Sequence, residues 1–387
     1  MQNFVYNNPT RILFGRDMIS RLGTEAAASG SRALIVTGTG SVRASGVYDR
    51  ARSALESAGI TCTDLSGVVS NPLLSKVREG VDLARSVKAD MIVAVGGGSV
   101  LDSSKAIAAG ARADHDVWEF FTRARRIDAA LPVFAVLTLA ATGSEANGSA
   151  VVTNDDTREK FSAASIHTYP RVSILDPETT FTVSPAYSAY GAVDAVAHLL
   201  EPYFNNANEN DAIQREITEG VIRSIRQAIT QVLADPRHYE GRATLMWGST
   251  LALNGLTQAG MGATGFPVHM IEHSLSALYD VPHGAGLSIV YPGWLRHVLD
   301  EKSARIARLG RTVFGVEEAS DRAAALATID ALTAWYREIG SPVCLADWNI
   351  PASDIPAIAD NAARLAQLWN LRRYTAAEIA SVLEKCR

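Results

Sequence analysis

The hydrophobic pattern of this 387-residue chain changes near residue 180. Before that point, short apolar runs such as 33–37, 91–95 and 133–137 alternate with segments of helical periodicity, which predicts a mostly parallel sheet covered by helices. After it, 3.6-residue periodicity continues with almost no strand pattern. The chain is also longer than one hydrophobic core usually supports. We therefore expect an α/β domain over residues 1–180 and an all-α domain over residues 181–387.

Composition excludes several classes of function. The net charge of −5 argues against nucleic acid or an anionic membrane surface as the main partner. No run of about 18 apolar residues predicts a membrane span, and the N-terminal segment lacks the basic and apolar regions of a signal peptide. The three cysteines, Cys62, Cys344 and Cys386, have no CxxC spacing. Free thiols in a reducing cytoplasm are the expected state.

Three loops rich in glycine and hydroxyl residues follow predicted strands, at 38–41, 96–99 and 138–145. Tight glycines let backbone N–H groups approach an anion, and a helix that begins there adds partial positive charge. Open α/β sheets bind dinucleotides in a crevice at such strand ends. Ligand-free tight turns are the alternative for the glycines, and helix capping is the alternative for Thr142 and Ser144. Together the loops predict a dinucleotide crevice.

Histidine and aspartate are spaced in the C-terminal half as metal ligands would be. Asp194 and His198 are four residues apart, as are His269 and His273, and His283 follows closely. Residues four apart share one face of a helix. A single Asp/His pair is typical of a solvated or capping pair, but four of the chain's eight histidines fall in these two segments. Imidazole and carboxylate donors favour Zn²⁺ or Fe²⁺ over Ca²⁺ or Mg²⁺.

These motifs resemble the iron-containing (metal-dependent) alcohol dehydrogenase family, and within it the NADPH-dependent butanol dehydrogenase-like aldehyde reductases. The resemblance covers about residues 1–300 and thins out afterwards. The GGGS loop is shared with glycerol dehydrogenases and dehydroquinate synthases, whereas the two metal segments are specific to the family. The matching segments are PTRILFG (9–15), VSNP (69–72), GGGSVLDSSKAIA (96–108), TLAATGSEAN (138–147), GAVDAVAHLLEPY (191–203) and HMIEHSLSALYDVPHG (269–284).

The resemblance implies a dinucleotide domain, an all-helical metal domain and catalysis in the cleft between them. It implies that Asp194, His198, His269 and His283 bind one Fe²⁺ or Zn²⁺ ion, and that His273 lies near the substrate without binding the metal. Ser149 stands where some relatives have asparagine near the nicotinamide. The expected cofactor-binding residues are Gly38, Gly40, Ser41, Asn71, Gly97, Gly98, Ser99, Asp102, Thr138, Thr142, Asn147, Ser149 and Lys160.

The expected reaction is reversible hydride transfer between NADP(H) and small, largely apolar aldehydes or primary alcohols, with His273 relaying a proton. NAD enzymes commonly place a carboxylate after an early strand, and NAD-using relatives tend to have aspartate where this chain has Gly38. Arg43 is close enough in sequence to neutralise the extra phosphate of NADPH. We also expect a homodimer in which a short strand at 3–7 pairs across a two-fold axis.

Two other functions are consistent with parts of the sequence. HMIEH matches the H-x-x-E-H pattern of some metallopeptidases, in which Glu272 would activate water. That hypothesis leaves the glycine loops, Asp194 and His198 unexplained. A dehydroquinate synthase-like lyase also uses a metal and a dinucleotide, but its phosphorylated, acidic substrate requires several Lys and Arg residues. The residues that flank the ligands here are mainly apolar.

Overall fold

Most strands of the chain belong to one parallel sheet. The computed structural model describes residues 1–207 and 210–387. Six of the strands in these residues form the sheet in the order β1-β8-β5-β4-β2-β3, and β6 and β7 form a separate antiparallel hairpin. The strands are β1 (Arg11–Phe14), β2 (Arg32–Gly38), β3 (Thr61–Val68), β4 (Met91–Gly96), β5 (Val133–Leu137), β6 (Ser149–Asn154), β7 (Glu159–Ala164) and β8 (Val172–Leu175).

Burial explains why the inner strands are apolar at nearly every position. Every residue of β4 and β5 is buried, as expected for parallel strands covered on both faces. On one face Ile35, Val93 and Val136 pack in a core with Leu55. The mostly parallel sheet predicted from the sequence is confirmed. The helices among these strands are α1 (Leu22–Ala26), α2 (Ser41–Ala44), α3 (Val47–Ser57), α4 (Leu74–Ser86), α5 (Gly98–Gly110) and α6 (Trp118–Phe121).

Strand order brings the three glycine-containing loops to the same edge of the sheet. β4 pairs with β2 on one side and with β5 on the other, and all three strands run in the same direction. Their carboxyl ends are therefore adjacent. The loops that follow Gly38, Gly96 and Leu137 start side by side, as a dinucleotide crevice requires.

Two segments differ from the sequence prediction. Residues 3–7 do not form a strand, because no strand among the described residues pairs with them; Gln2 N–H instead donates to Gly260 O at 2.9 Å. The β6–β7 hairpin was not predicted. Its strands mix apolar and polar residues without a clear period, and their register depends on the partner strand.

The remaining described chain is helical. Residues 7–184 and 235–254 form one compact unit, the sheet unit, and residues 1–6, 185–234 and 255–387 form the other, the helical unit. A single domain boundary at residue 180 stays a prediction. No helix in the described part of the chain is long and apolar enough to cross a membrane. The helices are α7 (Pro185–Asn205), α8 (Ala212–Ala234), α9 (Tyr239–Leu253), α10 (Pro267–Tyr279), α11 (His283–His297), α12 (Leu299–Leu309), α13 (Asp321–Glu338), α14 (Ile355–Leu368) and α15 (Ala376–Glu384).

Candidate metal centre and cofactor loops

Helix α7 carries three buried polar side chains among apolar ones. Asp194, His198 and Glu201 are spaced by four and three residues, so they share one face of the helix. The other residues in that part of α7 are mainly Ala, Val and Leu, which drive its burial in the helical unit. Buried polar groups are costly unless they bind a partner. This face of α7 therefore needs partners for all three side chains.

Helices α10 and α11 bring His269 and His283 to this face, where His269 contacts Glu201. Pro267 occupies the first turn of α10, where its missing N–H costs nothing. α10 ends at Tyr279, and Asp280, which follows it, is in the left-handed conformation with φ at 52°. Pro282 then precedes α11, which begins at His283. α11 packs against both α10 and α7. The tight turn between α10 and α11 brings His283 back beside His269.

The carboxylate of Asp194 is the centre of the histidine cluster. Its Oδ1 lies 3.3 Å from His198 Nδ1, 3.7 Å from His269 Nε2 and 3.6 Å from His283 Nε2. The rings of His198 and His269 stack with centroids 4.5 Å apart, and those of His269 and His283 are 5.2 Å apart. All four residues expected as ligands are therefore brought together, although they come from three helices.

The cluster fits a metal ion better than it fits a hydrogen-bonded network. Asp194 Oδ1, His198 Nδ1 and His269 Nε2 are buried atoms without a hydrogen-bond partner. Such atoms are rare, because each costs about 1–3 kcal/mol when it is left unsatisfied. A divalent ion with a preference for N and O donors satisfies them together. The side chain of His283 is 23% exposed, so one side of the cluster is open.

Electrostatics place most of the cluster in the protonation states that bind metals. Burial favours neutral Asp194, but the imidazoles of His198 and His283 outweigh it and hold the pKa of Asp194 below its usual range. Burial lowers the pKa of His198 to about 3, so this imidazole is neutral. Burial also opposes charge on His269, yet Asp194 and Glu201 raise its pKa to about 9. A metal ion therefore competes with a proton at His269.

His273 lies at the edge of the cluster. Its ring centroid is 5.6 Å from that of His283, and one of its nitrogens groups with atoms of Glu272 and His283, not with Asp194. It also contacts Trp369 edge to face, with centroids 5.4 Å apart. The sequence analysis did not single out Trp369. Trp369 follows α14, far along the chain, and no local pattern connects it to His273.

Two more buried carboxylates lie against the histidine rings, at the nitrogens that face away from Asp194. Glu201 Oε1 accepts the backbone N–H of His269 at 2.8 Å and lies 3.2 Å from its Nδ1. Glu272 Oε2 contacts Nδ1 of His283. The sequence analysis considered Glu272 only as a peptidase residue and did not identify Glu201, although both lie within the quoted motifs. Their proximity to ring nitrogens depends on how three helices pack.

Two glycines of the loops in the sheet unit are required by local structure, and a third is not. Gly98, in the first turn of α5, has no space for a side chain, because a Cβ there would lie 2.5 Å from Thr142 Cγ2. Gly40 has a φ of 158°, which an L side chain rarely adopts, and Ser41 begins α2 directly after it. Gly38 differs: a Cβ there would meet Val68 O at 3.4 Å, an ordinary contact distance.

A buried network connects the second and third loops. Lys105 Nζ donates to Ser144 Oγ, Asn147 O and Ser149 O, each at 2.8 Å. Asp102 Oδ1 accepts from Ser144 Oγ at 2.6 Å, and its Oδ2 accepts from the N–H of Val151. Burial lowers the pKa of Lys105 to about 8, against the nearby carboxylates. The sequence analysis assigned no role to this lysine, although it lies within the quoted segment GGGSVLDSSKAIA (96–108).

The other expected cofactor residues lie in the same region of the sheet unit. Lys160 Nζ donates to Asn71 Oδ1 at 3.0 Å, which brings together two residues that are far apart in sequence. Ser99 Oγ donates to Ser70 O, and Thr142 Oγ1 accepts from the N–H of Ser144 at 3.2 Å. The N–H of Thr138 donates to Gly96 O at 3.0 Å. Cofactor contact stays a prediction for all of these residues.

Similarity to known proteins agrees with this architecture. The family model described as iron-containing alcohol dehydrogenase matches residues 9–177, and the model of the Fe-containing alcohol dehydrogenase family C-terminal domain matches residues 188–386. The chain belongs to the iron-containing alcohol dehydrogenase family. Membership implies alcohol or aldehyde dehydrogenase chemistry with a metal ion and a nicotinamide cofactor. The predicted family and fold class are confirmed.

Individual relatives cover the whole chain. A probable NADH-dependent butanol dehydrogenase 1 of Bacillus subtilis (strain 168) is 42% identical over 99% of both chains. The NADPH-dependent aldehyde reductase YqhD of Escherichia coli (strain K12) is 36% identical over 92% of both chains. The crystal structure of NADH-dependent butanol dehydrogenase A from Thermotoga maritima superimposes with a TM-score of 0.96 at 41% identity, covering 100% of this chain and 99% of that one.

Proposed function

We propose that this enzyme reversibly transfers hydride between NADP(H) and small, largely apolar aldehydes or primary alcohols. One observation carries the proposal: Asp194, His198 and His269 each have a buried atom that can bind a metal and has no hydrogen-bond partner. His283 completes the cluster. Cytoplasmic location is part of the proposal, because free thiols at Cys62, Cys344 and Cys386 suit a reducing compartment.

Asp194, His198, His269 and His283 would hold one Fe²⁺ or Zn²⁺ ion. When bound, such an ion supplies Lewis acidity that polarises a carbonyl group, and a reduced nicotinamide supplies the hydride. The partly exposed His283 marks the side from which a substrate oxygen reaches the cluster. His273 lies beside that histidine and can hold the proton that the product alcohol needs.

The loop after β2 supports a preference for NADPH. β2 ends at Gly38, and the residues that follow it, Thr39, Gly40 and Ser41, carry no carboxylate. Arg43 is held near it by stacking on Tyr48, with its guanidinium 3.6 Å from the ring centroid. Asp64 lies 3.8 Å from Arg43, but it also accepts from Arg52 and Tyr48 at 2.8 Å. The charge of Arg43 is therefore only partly compensated, and the relatives' names include both coenzymes.

An apolar substrate is supported by the aromatic rings near the histidines. Phe266 contacts the ring of His269, with centroids 5.5 Å apart, and Trp369 contacts His273. Met270, on the same helix, is fully buried. Rings and thioether groups favour hydrocarbon chains over carboxylates or phosphates. This surrounding makes a lyase with a phosphorylated, acidic substrate a weaker alternative.

The metallopeptidase alternative conflicts with the position of Glu272. That carboxylate is 0% exposed and contacts His283 and Ser276, so it is not placed to activate a water molecule beside a peptide bond. The glycine-containing loops also have no purpose in a peptidase. We therefore keep the oxidoreductase as the single proposed function.

The test combines metal analysis with a coenzyme and substrate panel. Purified enzyme should contain about one Fe²⁺ or Zn²⁺ per chain and oxidise NADPH stoichiometrically with unbranched aldehydes. The same aldehydes should be reduced less efficiently with NADH. Peptide hydrolysis without NADPH consumption, or full activity after complete metal removal, would contradict the proposal.

A homodimer is proposed on a separate observation. Phe4, Val5 and Tyr6 are exposed apolar residues in the segment that pairs with no strand of the described chain, and Val5 is 95% exposed. Strand pairing with a second copy would cover them. Val5→Asp should shift the sedimentation coefficient from dimer to monomer, whereas Ile166→Asp, on another exposed apolar residue, should not. A monomeric unmodified enzyme would contradict the dimer.

A further inference from the structure

Two carboxylates in the helical unit, Glu201 on α7 and Glu272 on α10, are fully buried next to the histidine cluster. Neither carboxylate groups with Asp194: the side-chain nitrogens that approach Asp194 Oδ1 are those of His198, His269 and His283. A fully buried carboxylate needs a specific partner, because its desolvation is expensive. Each carboxylate has such a partner: the ring nitrogen of an expected ligand histidine that faces away from Asp194.

The contacts of Glu201 fix the position and the ring of His269. Its Oε1 accepts the backbone N–H of His269 at 2.8 Å and faces Nδ1 of the same residue at 3.2 Å. The opposite ring nitrogen, Nε2, faces Asp194 Oδ1 at 3.7 Å. A proton on Nδ1, donated to Glu201, leaves the lone pair of Nε2 directed at the centre of the cluster.

The contacts of Glu272 do the same for His283. Its Oε2 contacts Nδ1 of His283, whose Nε2 lies 3.6 Å from Asp194 Oδ1. Ser276 Oγ donates to the other oxygen of this carboxylate. Gly286, one turn into α11, makes the approach possible, because a Cβ there would lie 2.6 Å from Glu272 Oε1. A glycine, a serine and a histidine therefore enclose the carboxylate.

We propose that Glu201 and Glu272 are positioning residues for the metal centre, each fixing the tautomer and orientation of one ligand histidine. The inference rests on the proposed metal site. A carboxylate behind an imidazole makes the metal-facing nitrogen a better donor, and losing such a partner typically weakens metal affinity about 10–100-fold. Their charges also add to that of Asp194 around a divalent ion, which favours M²⁺ over monovalent cations. The grouping of Glu272, His273 and His283 is explained by this contact without a second ion.

The test measures zinc affinity on the full-length, zinc-loaded enzyme by competition with a chelator. Glu201→Gln and Glu272→Gln keep side-chain volume but remove the charge, and each should raise the Zn²⁺ dissociation constant about 10–100-fold. Gly286→Ala should have a similar effect with all charges retained, because its methyl group displaces the Glu272 carboxylate. Co²⁺-substituted variants should show altered visible absorption, since the ligand geometry changes.

Glu219→Gln is the matched control. Glu219 is a buried carboxylate in the same unit, and its hydrogen bonds come from Tyr203 and Arg308 instead of from a histidine of the cluster. Its variant should lose thermal stability but keep the Zn²⁺ affinity of the unmodified enzyme. The inference fails, and the proposed function stands, if both Glu201→Gln and Glu272→Gln keep the Zn²⁺ affinity of the unmodified enzyme. The same holds if Glu219→Gln loses as much Zn²⁺ affinity as they do. No metal binding by the unmodified enzyme would overturn the proposed function as well.

Discussion

The histidine cluster of the helical unit, proposed as a metal site, and the glycine loops of the sheet unit, proposed as a coenzyme site, differ in how their polar groups are satisfied. In the cluster, Asp194 Oδ1 and His269 Nε2 are buried without hydrogen-bond partners, so specific side-chain atoms are kept available. In the loops, Asp102 and Lys105 are satisfied by neighbouring residues and fix the backbone. A single substitution should therefore weaken ligand binding most in the cluster. In the loops, many groups share the binding, so each substitution should weaken it less.

The largest effect is expected at the ligands. Asp194→Ala and His269→Ala should each lower metal affinity by roughly 10²-fold or more and abolish nearly all turnover, because four donors share a binding free energy on the order of 10 kcal/mol. Elemental analysis after gel filtration measures the loss. Asp211→Ala is the control: this buried aspartate forms ion pairs with Arg215 and Arg305 instead, so its loss should leave the metal in place. Full metal content in both ligand variants would disprove the four-ligand assignment.

Substitution of His273 tests whether this histidine is a metal ligand. His273→Ala should keep its metal and lose about 10²–10⁴-fold in turnover, because it would remove a proton relay and not a donor. Metal content and kcat, measured on the same preparation, separate this variant from Asp194→Ala. Loss of metal in His273→Ala would show that His273 is a ligand and would contradict its assignment as a proton relay outside the ligand set.

The same comparison explains how much the sequence could predict. The i, i+4 spacing in α7 and α10 is a local property of helices, so it indicated Asp194, His198, His269 and His273 as candidate metal residues before any packing was known. The expected ligand set, with His283 in place of His273, came from the resemblance to the family. Alternation of short apolar runs with helical segments is equally local, and it predicted the parallel sheet. Glycines at the strand ends predicted a dinucleotide crevice, which stays a prediction. Both predictions depended on residues within one or two elements.

Residues that depend on distant packing were not predicted. Trp369 reaches His273 only because α14 packs against α10. Glu201 and Glu272 resemble ordinary helix-surface residues in sequence, and only the approach of α11, through Gly286, encloses Glu272. The role of Lys105 in the sheet unit could not be predicted for the same reason, because its hydrogen-bond acceptors lie about 40 residues later in the chain. Burial and partners are tertiary properties, and periodicity does not encode them.

In the loops, coenzyme preference should respond to one substitution by a moderate amount. Gly38→Asp should erode a preference for NADPH, mainly through its KM, since a carboxylate repels the extra phosphate by about 1–3 kcal/mol. The backbone there tolerates a side chain, because the new Cβ meets its neighbours at 3.4 Å or more. The measurement is kcat/KM with each coenzyme.

Gly38→Ala is the control for that substitution, because it adds the same Cβ without charge. Its coenzyme preference should match that of the unmodified enzyme. An equal loss of NADPH preference in both variants would indicate that loop shape, not charge, selects the coenzyme. Equal kcat/KM for NADPH and NADH in the unmodified enzyme would contradict the preference itself.

The smallest effect is expected at Phe266 and Trp369, the aromatic residues beside the histidines, because hydrophobic contacts are shared among several side chains. In the unmodified enzyme, kcat/KM should rise by up to roughly fourfold for each methylene group from ethanal to hexanal, since a buried methylene contributes about 0.8 kcal/mol. Trp369→Ala should flatten that rise while kcat for ethanal changes little, because the indole ring is an aromatic neighbour of His273 and not a proton carrier. Trp247→Ala, which removes a partly exposed tryptophan of the sheet unit, should leave the rise intact. An unchanged slope in Trp369→Ala, or a preference for glyoxylate over butanal, would contradict an apolar pocket beside His273.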